Sequence, residues 1–201
     1  MESLRARLAS KNPGKLRELR RALEGWELEP LEAEEYPPEE GATYYENARA
    51  KAEFGRGIDR SVWILGEDSG LEVDGLGGGP GMQSARFAAG EHVQRLLREL
   101  EGVVGEGRRA RYVCELVALA PDGEELRGTG ILEGRIADEP RGSAGFGFDP
   151  IFVPDGEERT VAELGDEWKT VNSHRARAAN ALRQAREQRP GLPRGRGPAT
   201  S

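Results

Sequence analysis

The chain is poor in several residues on which common kinds of chemistry depend. It has one cysteine, Cys114, in 201 residues, so no disulfide can form within it. With only two histidines, His92 and His174, it also lacks the side chains for a Cys/His zinc cage. Any metal is therefore expected to be a hard cation held by carboxylates. No run of 18 apolar residues occurs, and the opening Met1-Glu2-Ser3-Leu4-Arg5-Ala6-Arg7 is charged where a signal peptide needs an apolar stretch. We expect a soluble, cytoplasmic protein with no membrane partner. Lysine is scarce as well: Lys11, Lys15, Lys51 and Lys169 are the only four among 29 Lys and Arg residues. In a chain that uses Arg by default, these four mark places that call for a compact ammonium instead of a planar guanidinium fork.

What is present is enough for one folded domain. The hydrophobic set makes up 36% of residues, with 28 Gly besides, which excludes global disorder. Length predicts a single domain over residues 1–189, with a disordered tail at 190–201, PGLPRGRGPATS. The formal charge of −7 argues against a protein that coats nucleic acid. Nine Glu and no Lys or Arg lie between Ala22 and Ala48, a pattern that reads as a solvated acidic face.

Residues 4–9 alternate like a strand, Ser10 to Lys15 form a polar turn, and Leu16, Leu19 and Leu23 then recur at helical spacing. Residues 26–31 read as a second strand. Thr43-Tyr44-Tyr45-Glu46 reads as a capping box opening a helix to about Phe54. Val62-Trp63-Ile64-Leu65 predicts a short strand ending at Gly66-Glu67-Asp68-Ser69-Gly70. That would place two acids at a strand's C-terminal edge, where open α/β sheets bind ligands. A helix is predicted over residues 92–100, and a hairpin of residues 110–119 and 125–136 around Pro121-Asp122-Gly123. A Gly-rich segment at 142–150 leads into a short strand at 151–153, and residues 173–188 are helical.

Neither G-x-G-x-x-G nor G-x-x-x-x-G-K-[ST] threads through the glycine-rich loop at 75–81, so a Rossmann or P-loop site is not supported. Ser69 does not stand in G-x-S-x-G and has no case as a hydrolase nucleophile. Ser10-Lys11-Asn12-Pro13-Gly14-Lys15, at a strand-to-helix junction, offers free backbone N–H groups, a positive helix end and two ammonium groups. This suits a polyphosphate, although an ordinary turn with surface lysines is the competing reading. Glu67 and Asp68 can hold Mg²⁺ or orient water. Glu39 and Glu40 are further candidate acids, while Glu46 is already explained by its helix cap. Phe146 and Phe148 can stack on a base or fill the core, and Asp149 can accept from a base N–H. Lys169, His174 and Arg175, around the start of the last helix, can meet a carbonyl or phosphate.

Five blocks, SKNPGK (10–15), YYENARAKA (44–52), EDSGLEVDGLGGGPG (67–81) with SAR (84–86), GFGFDPIF (145–152) and KTVNSHR (169–175), occur in an order that resembles the inosine/xanthosine triphosphate pyrophosphatases, enzymes that clear non-standard purine nucleotides. The resemblance implies an α/β fold, elongated and two-lobed, with a central mixed twisted sheet flanked by helices, an active-site cleft between the lobes, and a homodimer. It implies Mg²⁺-dependent hydrolysis of ITP, dITP or XTP to monophosphate and pyrophosphate, with a small-molecule nucleotide as partner and no nucleic acid. By position, Asp68 matches the proton acceptor and metal ligand, and Lys51 joins it in catalysis. Glu39 matches the second acid at the metal, although the loop spacing leaves Glu40 open. Ser10, Lys11, Asn12, Pro13, Gly14, Lys15 and Ser69 match substrate contacts. Phe146, Gly147, Phe148 and Asp149 match the base-binding segment, and Lys169, His174 and Arg175 the remaining base-side contacts. Trp168 departs from the pattern, standing where an acid often precedes the lysine. Two other functions compete: a nucleotide pyrophosphatase of the septum-inhibitor type with another base preference, and a catalytically silent nucleotide- or RNA-binding module. The last two blocks favour the first reading.

Overall fold

The computed structural model describes residues 3–87 and 90–188, so the tail expected at 190–201 lies outside the described residues. The alternating N-terminal stretch is strand β1 (Leu4–Leu8), followed by helix α1 (Pro13–Ala22) and strand β2 (Trp26–Pro30). β1 and β2 lie parallel, which makes this opening a β-α-β unit. Helix α2 (Tyr44–Ile58) starts at Thr43, whose hydroxyl accepts from the Glu46 N–H. The Glu46 carboxylate takes the Ala42 N–H instead of that of Thr43, so only half of the expected capping box is made.

Strand β3 (Trp63–Val73) departs furthest from expectation. In place of a short strand ending at Gly66, it continues through Glu67, Asp68 and Ser69 to Val73. The cause is tertiary. β3 pairs antiparallel with β5 (Arg109–Leu119) in unbroken register from Ile64↔Leu119 to Val73↔Ala110, and that pairing overrides the turn-forming bias of Gly, Asp and Ser. The two acids are therefore mid-strand, and because strand side chains alternate they face opposite sides of the sheet.

β5 and β6 (Glu125–Ile136) form the expected hairpin, and β7 (Phe152–Pro154) adds to β6. The sheet order is β2-β1-β3-β5-β6-β7, with β4 (Gly79–Gly81) also on β3. It is parallel at β2-β1-β3 and antiparallel elsewhere, which is the mixed sheet expected. Helices α3 (His92–Glu99), α4 (Val161–Asn172) and α5 (His174–Glu187) complete the described chain. α4 has no counterpart in the sequence reading. A capping box between Thr160 and Glu163 opens it. Among the described residues no helix is long and apolar enough to cross a membrane.

This topology leaves a gap. β1 accompanies β3 only as far as Leu8↔Leu65, and β4 joins only at Leu71↔Gly81, so residues 66–70 have no strand on that edge among the described residues. The gap lies beside the N-terminus of α1, the position where an open α/β sheet takes a ligand. Two glycines then set how close the helices come. A Cβ on Gly66 would fall 1.9 Å from the Ala48 carbonyl oxygen of α2, and one on Gly130 would fall 1.9 Å from the His174 carbonyl oxygen of α5. Both helices therefore lie directly on the sheet.

On the α1–α5 side of the sheet, two apolar clusters occupy opposite ends of the long strands. One gathers Leu8, Leu19, Leu65, Leu116 and Leu182, the other Leu71, Leu96, Tyr112, Ile136 and Phe152. Glu67 and Ser69 lie between them. Each buried Leu contributes roughly 1.5–3 kcal/mol, whereas buried ion pairs near break-even contribute little net stability. Cohesion thus comes from the two clusters, and the polar stripe between them is left for function.

Candidate active site

The N-terminal loop is built around Asn12, which caps α1. Its Oδ1 accepts the Gly14 and Lys15 N–H groups at 2.9 and 3.2 Å, and the Asn12 N–H itself goes to Ser10 Oγ. This corrects the expectation of free backbone donors: the cap has already satisfied them, and the attraction for phosphate rests on the helix end and on Lys15. Lys11 turns outward, donating to the Glu34 carbonyl at 2.6 Å. Lys15 turns inward and is buried 2.6 Å from Glu67 Oε2.

The two faces of β3 differ in what they offer a carboxylate. On the α1–α5 face, Glu67 is 0% exposed and meets Lys15 and, at 3.0 Å, Arg175 Nε. Burial alone would raise its pKa, but these two cations outweigh it and hold the carboxyl well below the usual range. Arg175 also donates to Ser69 Oγ at 2.7 Å and to Glu18 Oε2 at 3.1 Å. On the α2 face, Asp68 receives Lys51 Nζ on Oδ1 and the Asn47 amide on Oδ2, both at 3.0 Å. Its pKa is nonetheless raised, by burial first and by the neighbouring Glu67 charge, against the pull of Lys51 and Asn47.

Lys51 Nζ has two further partners, the Glu67 carbonyl at 3.1 Å and the Glu39 carboxylate. Arg86 holds the other Glu39 oxygen at 2.7 Å. Glu40 is exposed, so Glu39 is the acid that the fold brings to Asp68. Asn47 ties this corner together by also accepting the Gly41 N–H at 2.8 Å, which locks the acidic loop to α2. No group of three or more His, Cys, Asp or Glu able to hold a metal occurs among the described residues. Glu39 and Asp68 both meet the Lys51 ammonium, and such a pair of carboxylates fits the needs of Mg²⁺, which takes one or two protein carboxylates and completes its shell with phosphate oxygens and water.

Beyond Ser69 opens a cavity of about 460 Å³. Of the predicted substrate residues, Asn12, Pro13, Gly14, Lys15, Ser69, Phe146, Gly147, Phe148, Asp149, His174 and Arg175 line it, while Ser10, Lys11 and Lys169 do not. Phe146 lies against Gly14, with Lys169 Nζ and Arg175 at 4.9 and 5.3 Å over its ring. Phe148 is a core side chain, edge-on to His92 at 5.2 Å. His92 Nε2 meets the Gly147 carbonyl at 2.9 Å and pins the loop. Lys169 is buried behind the wall, where its ammonium bridges Glu18 and Asp149. Asp149 Oδ2 also takes the Phe146 N–H at 2.8 Å; burial raises the Asp149 pKa, with Lys169 opposing. Burial, then Arg175, pushes His174 well below the ordinary histidine range, so its imidazole is neutral.

Four residues of this site have no role in the sequence reading: Glu18 and Tyr112, and Asn47 and Arg86, which lie inside the quoted blocks at 44–52 and 84–86. Glu18 stands three residues after Lys15 on α1, and that spacing alone puts both on one helix face. Tyr112 shows only the alternation of a strand.

A capped helix end, buried lysines and paired carboxylates beside a base-sized cavity define a nucleotide-binding α/β protein. The chain belongs to the Ham1 family, whose model matches residues 6–185. It is 44% identical over 190 residues to the dITP/XTP pyrophosphatase of Deinococcus deserti, covering 92% of this chain and 90% of that one. With the dITP/XTP pyrophosphatase of Thermus thermophilus it shares 41% over 201 residues, covering 94% and 95%. The solved Ham1 protein of Staphylococcus aureus matches with a TM-score of 0.77 at 34% identity, covering 90% of this chain and 96% of that one.

Proposed function

We infer that this chain hydrolyses non-canonical purine nucleoside triphosphates, dITP, ITP and XTP, to the monophosphate and pyrophosphate, and so clears them from the nucleotide pool. The observation that carries the reading is the convergence of Glu39, Lys51 and Asp68 at the gap in the sheet, one residue along β3 from Ser69, which lines the cavity with Lys15. The names of the relatives point to the same substrates. Lys15 and Lys51 hold the triphosphate, and Asp68, held in place by Lys51 and Asn47, takes the proton of the attacking water. Asp68 and Glu39 would hold Mg²⁺, which when bound draws charge off the phosphate oxygens.

At the base end, Phe146 stacks on the purine and Asp149 accepts from N1–H. Arg175, which lines the cavity, donates toward O6, Lys169 holds Asp149 from behind the wall, and His174 adds a neutral imidazole. Adenine has an amino group at position 6 and a bare N1, so it would leave these groups unpaired. Hydrogen-bonding sites of this kind discriminate by about 10⁴–10⁵. Pyrophosphate release from ITP, dITP, XTP, GTP and ATP, with Mg²⁺ and with EDTA, tests the reading. We expect ITP far above ATP and no turnover in EDTA. An EDTA-resistant enzyme would remove the metal from the proposal, and an Asp149→Ala variant with an unchanged ITP/ATP ratio would remove Asp149 from base reading. The homodimer that the resemblance implies and the cytoplasmic setting expected from the charged N-terminal stretch belong to the same proposal; sedimentation equilibrium checks the first.

A further inference from the structure

Two rings at the floor of the cavity lie face to face. Tyr112 of β5 and His174 at the start of α5 have centroids 4.6 Å apart and planes inclined by 8°. Both are buried, and both line the cavity. Tyr112 is held from behind, because its ring packs on Phe152 at 4.6 Å with a 43° tilt inside the second apolar cluster. The tyrosine thus belongs to the rigid core, and the imidazole lies on its front face. Neither ring nitrogen of His174 has a hydrogen-bond partner, although both are buried. A buried imidazole with two unpaired nitrogens gains by rotating toward any polar neighbour. The parallel stack opposes that rotation, since a flat ring leaving this plane gives up its contact with Tyr112.

We propose that Tyr112 is a positioning residue for base recognition: its ring face fixes the plane of His174, which lines the cavity and whose two nitrogens, without a partner in the protein, pair with the edge of a bound purine. The proposal rests on the nucleotide reading above. The neutral imidazole carries one N–H and one lone pair, and an oxopurine edge likewise offers carbonyl acceptors and ring N–H donors. The Tyr112 hydroxyl contributes little to this, because its hydrogen bond to Asp149 Oδ1 spans 3.5 Å, at the limit of such a bond. The flat face of the ring does the positioning, so phenylalanine should replace tyrosine and an aliphatic residue should not.

The test has a kinetic and a spectroscopic arm, both on the full chain. With ITP, Tyr112→Phe is expected to keep the wild-type KM within about twofold, whereas Tyr112→Leu raises it about tenfold or more with kcat changed less than about threefold, the signature of lost binding and not lost chemistry. With only two histidines in the chain, ¹⁵N-histidine labelling gives a spectrum of His92 and His174 alone. In wild type and Tyr112→Phe, the His174 ring protons should show the upfield shift of a ring stacked on an aromatic face, and inosine monophosphate should move the His174 nitrogens. In Tyr112→Leu both effects should vanish while the His92 signals persist. If Tyr112→Leu does not fold, the wild-type spectrum still decides: a His174 without the upfield shift, or unmoved by inosine monophosphate, overturns the proposal. Wild-type KM in a folded Tyr112→Leu overturns the positioning role alone. A wild type that releases no pyrophosphate from ITP overturns the nucleotide reading, and the proposal with it.

Discussion

Glu67 and Asp68 are neighbours on one strand, both buried, yet the two faces of β3 pull their pKa values in opposite directions. Toward α1 and α5, Glu67 meets two cations at 2.6 and 3.0 Å, which outweigh the cost of its burial. Toward α2, Asp68 has a single ammonium, which it shares with Glu39, and burial prevails. Both are buried carboxylates, so the balance of neighbouring charges makes the difference: Lys15, Arg175 and Lys51 act on Glu67, whereas for Asp68 the pull of Lys51 and Lys15 is opposed by the Glu67 charge. One face holds a fixed anion that organises Lys15 and Arg175, and the other presents a carboxylate ready to take a proton.

The largest expected effect tests the chemical side of this contrast. Asp68→Asn should fold and lose about 10²–10⁴ in kcat, the usual worth of a general base, when pyrophosphate release is followed at saturating ITP. Near-full kcat would erase the functional distinction between the faces. Stability should divide them the other way. Glu67→Gln leaves Lys15 buried without its counter-charge and Arg175 with Glu18 alone, and in urea should cost about 3–5 kcal/mol. In the same metal-free titration Asp68→Asn should move the midpoint upward. A carboxyl with a raised folded pKa stabilises the fold only while protonated, and that contribution is gone at neutral pH. Midpoint shifts of the same sign would show the faces to be equivalent.

The cavity beside the Glu67 face carries its own pH signature. His174 has a folded pKa well below its unfolded value of about 6.5. Its contribution to stability is therefore present above that pH and is lost as pH falls below it, where the unfolded chain binds the proton first. Melting temperatures at pH 7 and pH 5 should fall further apart in wild type than in His174→Gln. The smallest expected effect concerns ammonium geometry. Lys51 Nζ fits among Glu39, Asp68 and the Glu67 carbonyl, a space for a point charge and not a fork. Lys15→Arg and Lys51→Arg should each lower kcat/KM more than about threefold, about 0.7 kcal/mol.

Lysine scarcity was informative to the extent that each residue's surroundings allowed. Lys15, Lys51 and Lys169 are all buried against carboxylates, but Lys11, indistinguishable from them by composition, points outward to a backbone carbonyl. Asn12 was legible as part of a phosphate loop. Its role as helix cap, which occupies the backbone donors expected for phosphate, depends on a side-chain rotamer that no spacing records.

By itself the sequence determined the β-α-β opening, the β5–β6 hairpin, the first turn of α2 and the short list of acids and lysines able to do the chemistry. Each of these follows from local rules: alternation, helical spacing, caps and turn residues. Only the tertiary structure decided that residues 66–70 are strand, because ten-residue pairing with β5 outweighs local turn preference. It alone put Glu67 and Asp68 on opposite faces, chose Glu39 over Glu40, and stacked His174 on Tyr112, 62 positions away in sequence. These are outcomes of long-range packing, set by glycines that let α2 and α5 lie directly on the sheet, and the charge state of a buried group depends on which neighbours that packing supplies.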